Sequence, residues 1–118
     1  MARQVHTVRE VIGPYEAVVS ANEADIPFVA AIVADKEQVP LDGKIIVLVR
    51  NVDATNPYTV TFTSVADEFG RTGDITTYSL AAGEVAAFEF EPRGWKQADG
   101  NLYFEAANVK IEFAVLRK

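Results

Sequence analysis

The chain has one histidine, His6, and no cysteine. A nucleophilic triad or an ordinary zinc site needs a second imidazole or a thiolate beside the first. His6, next to Thr7 near the N-terminus, therefore reads as a surface histidine. Asp67, Glu68 and Asp74 gather oxygens of the kind hard cations take, but their spacing matches no EF-hand loop, and a solvated turn is the simpler reading. Glu89 and Glu91 stand two residues apart on one face of a strand pattern, as carboxylates paired for glycoside cleavage can. Close to a strand end, they read more simply as exposed, solubilising charges. Gly70-Arg71-Thr72-Gly73 has glycines but lacks the lysine and the following helix of a phosphate loop. These residues assemble no catalytic set, metal ligand set or cofactor site, so the expectation is a chain that is not an enzyme and works without a cofactor.

Trp95, the single tryptophan, is flanked by Arg93, Gly94 and Lys96. Such a residue can be an exposed anchor for a protein or a sugar ring. The competing reading is a core aromatic whose indole N–H bonds a loop carbonyl.

The elements that must position these residues are strands. From Lys44 onward, runs rich in Val, Ile, Phe, Tyr and Thr alternate with Gly, Asn, Asp and Pro, which predicts six or seven consecutive strands. Lys44 to Arg50 is continuously apolar between its charged ends, which predicts a central strand covered on both faces. Tyr58 to Thr63 alternates, as a half-buried strand does. Residues 64–74 hold too much turn chemistry for a regular element and form a candidate contact loop. Further strands are predicted over about 75–80 and 84–90, the latter with Ala86, Phe88 and Phe90 facing the core and Pro92 ending it. Asp99-Gly100 predicts a hairpin between 95–97 and 102–105, and a last strand covers 109–116.

Residues 1–15 pattern poorly and are expected to form an extended N-terminal arm, with 16–118 as a single domain. Phe28 to Ala34 is read as a buried strand rather than a short helix. The fold class expected is all-β: a β-sandwich or jelly-roll-like barrel of about seven to nine short, mainly antiparallel strands.

A chain of 118 residues with 49% apolar and 24% charged side chains can bury a continuous core without staples. The net charge is −6, and residues 1–43 carry three basic against seven acidic side chains, so a broad nucleic-acid surface is not expected. The start of the chain lacks signal-peptide features, and no run approaches the length of a membrane span, so synthesis in the cytoplasm and no membrane partner are expected.

The order of several turn motifs is more specific. Val39-Pro40-Leu41-Asp42-Gly43, Val47-Leu48-Val49-Arg50-Asn51, Thr59-Val60-Thr61, Ala82-Gly83-Glu84, Trp95 through Asp99-Gly100 and Ala114-Val115-Leu116-Arg117 together resemble small proteins encoded in the head modules of tailed bacteriophages. The resemblance implies a virion structural protein. Its best fit is a decoration or cementing protein on the capsid exterior that binds the major capsid protein, as a homotrimer or another homo-oligomer. Contacts are then expected from the arm, through Arg3, Val5, His6 and Val8, from the loop, through Asp67, Glu68, Phe69 and Arg71, and from Trp95. A neck or tail component is the alternative within the same class. A carbohydrate-binding module stacking sugars on Trp95, Tyr58, Tyr78 or Tyr103 is the alternative outside it.

Overall fold

The computed structural model describes residues 2–11 and 26–117. Every regular element among them is a strand: β1 (Gln4–Val5), β2 (Val8–Glu10), β3 (Val29–Ala30), β4 (Glu37–Pro40), β5 (Ile45–Asn51), β6 (Tyr58–Thr63), β7 (Ile75–Leu80), β8 (Val85–Phe90), β9 (Asn101–Ala106) and β10 (Ile111–Arg117). They form two mixed sheets. One runs β1-β4-β9-β6-β7, and the other β2-β10-β5-β8 with β3 also paired to β10. β1 lies parallel to β4 and β2 parallel to β10, while the remaining pairings are antiparallel.

Side chains alternate across a strand, so each sheet sends every second residue inward. Val60, Phe62, Leu102 and Phe104 from the first sheet meet Val47, Val49, Ile111 and Phe113 from the second in one buried cluster. Phe62 packs on Phe90 and Phe104 on Phe113, each at 4.8 Å between ring centres, which joins the two sheets. These tilted and edge-on geometries are the ones aromatic quadrupoles favour.

The strands from β5 onward fall within a residue or two of their predicted spans, and three other expectations are corrected. β5 sits centrally between β10 and β8, yet only Ile45, Val47, Val49 and Asn51 are buried; Ile46, Leu48 and Arg50 are half-exposed. Its continuous apolar run thus marks a strand covered on one face among the described residues. Residues 95–97 form no strand: turns take their place, with Lys96 N bonded to Pro92 O at 3.0 Å and Gly100 N to Gln97 O at 2.9 Å. The expectation of a buried strand over Phe28 to Ala34 is corrected: only Val29–Ala30 is strand and both residues are exposed, Ala31 alone of the run being buried, because the chain then turns back through Lys36 N bonded to Ile32 O.

The described part of the expected arm does not stand free. Its two short strands add to the edges of both sheets, and between them His6 N donates to Gln38 O at 2.9 Å. Residues 12–15 of that arm lie outside the described residues.

Candidate docking site

The loop of residues 64–74 and the bend at 92–95 come together at one end of the molecule. The loop closes on its own carboxylates. Ser64 donates its N–H (2.7 Å) and its hydroxyl (2.5 Å) to Asp74 Oδ1, and Gly73 N–H donates to Ser64 Oγ. Within this clasp, Asp67 organises the tip. Its Oδ1 accepts the N–H groups of Phe69 (2.8 Å) and Arg71 (3.0 Å), its Oδ2 accepts Arg71 Nε (2.9 Å), and its backbone bonds to Arg71 O and Gly70 N. This is the local side-chain bonding that makes aspartate a turn residue. Gly70 takes φ +76°, a left-handed conformation that costs glycine nothing.

The consequence is a closed, internally bonded tip that holds Phe69 in solvent. Phe69 is 70% exposed, the most exposed large apolar side chain among the described residues, and the Arg71 guanidinium lies 4.9 Å from its ring centre. The loop is tied to the bend twice, by Val65 N donating to Gly94 O at 2.7 Å and by an ion pair between Arg93 and Glu68. Trp95 follows Gly94, is half-buried, and packs edge-on against Phe90 at 4.8 Å. Loop and bend enclose a cleft of about 320 Å3 lined by Arg71, Thr72, Glu91, Arg93 and Trp95 among others.

The carboxylates that suggested a cation site serve the loop itself. The Arg71 N–H, assisted by the Phe69 N–H and the Arg71 side chain, holds Asp67 below the usual carboxylate range against the opposing effect of burial. The Ser64 hydroxyl and amide do the same for Asp74. Among the described residues, no group of three or more His, Asp or Glu side chains is placed to hold a metal ion. Glu89 and Glu91 also separate: Glu91 lines the loop cleft, whereas Glu89 lines a groove with Lys44, Ile46 and Arg117.

No family model, curated protein or solved structure matches the chain. Its function must therefore be argued from the geometry.

At the other expected contact region, the structure corrects the reading of His6 as a surface residue. His6 is only 4% exposed, lies between Phe104 (5.3 Å) and Phe113 (5.8 Å), and bonds through Nε2 to Glu37 Oε1 at 2.9 Å. A buried imidazole needs such a partner, and Glu37, itself fully buried, supplies it. Glu37 also accepts Gln4 Nε2 (2.5 Å) and Ile32 N (3.0 Å). Arg3 turns inward as well, donating to Glu37 O and lying 4.0 Å above the Tyr103 ring. Val8 packs against the core, and Val5 alone of the four is mostly exposed, at 61%.

Sequence reasoning missed Glu37. The available signal was its phase, since Glu37, Val39 and Leu41 are spaced by two and are all buried. Each of the four rings considered as a sugar platform has a packing partner elsewhere: Trp95 packs on Phe90, Tyr78 on Phe88, Tyr103 under Arg3, and Tyr58 against the core.

Proposed function

We propose that this chain is a non-enzymatic structural protein that docks onto other proteins of an assembly, as a decoration or cementing protein on the exterior of a tailed-phage capsid does. The observation that carries the reading is Phe69, held in water on a loop whose own carboxylate fixes its shape. Phenylalanine and arginine are both enriched in the buried part of protein interfaces. A preformed loop also avoids the ordering cost that binding otherwise incurs. The two sheets around a shared aromatic core suit a β-sandwich, a framework that presents loops at its ends. The order of turn motifs supplies the phage reading, and the acidic balance favours the outside of a shell over the side facing the genome.

The test is cosedimentation of the purified chain with phage heads whose shells lack it, assembled from the major capsid protein of the same genome. Binding at the stoichiometry of the shell lattice is expected. Phe69→Ala should weaken it by about 2 kcal/mol or more, the size of a hot-spot truncation, without altering the fold. A chain that ignores heads and copurifies with necks or tails at ring stoichiometry would move it to that position. A chain bound to no particle component would overturn the reading.

A further inference from the structure

We propose that the free edge of β8 is a self-association site, at which two copies of this chain pair β8 with β8 antiparallel across a two-fold axis through Ala87. The hydrogen-bond phase of β8 shows which groups are available. Antiparallel partners alternate between pairs that exchange both backbone bonds and pairs that exchange none. Asn51 N donates to Glu84 O at 3.0 Å, while Asn51 O accepts from Gly83 N at the turn, so the bonded phase begins at 51/84, and the register carries it to Val49/Ala86, Val47/Phe88 and Ile45/Phe90. The amides and carbonyls of Val85, Ala87 and Glu89 consequently point away from β5. β8 is the last strand of its sheet, so among the described residues no strand meets them.

The other sheet edges are blunted. β1, β2 and β3 are two or three residues long. β7 shifts register against β6 between the pairs Val60/Tyr78 and Phe62/Ile75, with Thr77 at φ +50° inside the shift. Irregularity and shortness are the usual defences against edge pairing, as are lysine and proline on the edge. β8 has none of them. It is six residues of Val, Ala, Phe and one Glu in regular pairing, with Val85 62% exposed and Ala87 and Glu89 also exposed.

The edge is complementary to itself. With the axis at Ala87, Val85 of one copy faces Glu89 of the other and every outward amide and carbonyl of the three residues finds a partner. No acid faces an acid in this register, since Glu91 falls opposite Gly83. Alanine at the axis admits its twin without a clash. The pairing is strand addition in an isologous form, and it fuses the two β2-β10-β5-β8 sheets into one.

Sedimentation equilibrium of the purified chain, with no capsid component present, tests the pairing apart from the docking reading. The mass should rise with concentration from 12.9 kDa towards twice that value. Ala87→Pro removes an outward N–H and no β5 bond, so it should abolish the rise while leaving the circular dichroism of the strands intact. If that variant does not fold, Ala87→Lys at the same edge decides the matter. Because the chain has no cysteine, Ala87→Cys should form a disulfide-linked dimer on mild oxidation and Val85→Cys should not. A chain that stays at monomer mass throughout, or a dimer that folded Ala87→Pro and Ala87→Lys both leave intact, would overturn the proposal.

Discussion

Replacing Glu37 by leucine tests whether one buried carboxylate holds the N-terminal strands in place. Leucine roughly preserves the volume but removes the acceptor of three donors: His6 Nε2, Gln4 Nε2 and the Ile32 N–H. Gln4 costs little, because its amide also bonds to Ala30 O near the surface and can turn to water. His6 cannot, since it is enclosed by Phe104 and Phe113. A buried polar group left without its hydrogen-bond partner costs about 1–3 kcal/mol, so His6 and the Ile32 N–H together cost about 4 kcal/mol at the middle of that range. The apolar burial gained by leucine offsets about 1 kcal/mol of that, which leaves a net loss of about 2–4 kcal/mol. For a domain of this size the loss corresponds to a fall in Tm of about 8–16 °C. Urea denaturation followed by circular dichroism should show a lower midpoint at unchanged slope. Hydrogen exchange should rise first at residues 4–10, because β1 and β2 keep only their edge pairings. Glu37→Gln retains one carbonyl oxygen and should lose about half as much. A loss below about 1 kcal/mol for the leucine variant would mean that the site relaxes or admits water, and the account of a buried anchor would be refuted.

Three further outcomes are expected. Asp67 and Asp74 are held below their ordinary values in the folded loop, so the stability they contribute is present above the usual carboxylate range and is lost as pH falls through the depressed values; an acid titration of the single tryptophan's fluorescence should report the loop loosening around Trp95 in that window and no change near neutrality. Asn51 is 1% exposed, donates to Asn56 O and Leu80 O, and accepts Asp53 N–H, so Asn51→Ala should orphan buried partners and cost about 2–3 kcal/mol in urea denaturation. Thr77 is β-branched at φ +50°; Thr77→Gly removes about 1–2 kcal/mol of left-handed strain against a backbone-entropy cost of about 0.5–1, and should raise stability by about 0.5–1 kcal/mol.

How far the sequence is legible depends on what its patterns encode. Alternation reports which face of a strand is buried, and in β6 and β8 it identified the inward residues because neighbouring strands are long enough to enforce the phase. It does not report what lies on the other face. The apolar run of β5 was compatible with two covered faces, and only the sheet order shows that Ile46 and Leu48 look outward. Short edge strands escape the same reading. β1 and β2 hold five residues between them, fewer than a period-two pattern needs, and their place is set by partners more than 30 and 100 residues away. Burial of a polar group is a pairwise property as well: His6 gives no signal of it and Glu37 only its phase with Val39 and Leu41, and the two are accommodated in the core because they bond each other. The loop of residues 64–74 was more legible, because aspartates and glycines bond their own backbone and so declare a turn within a few residues. Its exposed Phe69 is informative for the reason that His6 was not. A closed turn leaves an aromatic no local core to enter, so an aromatic placed there stays in solvent unless a partner covers it.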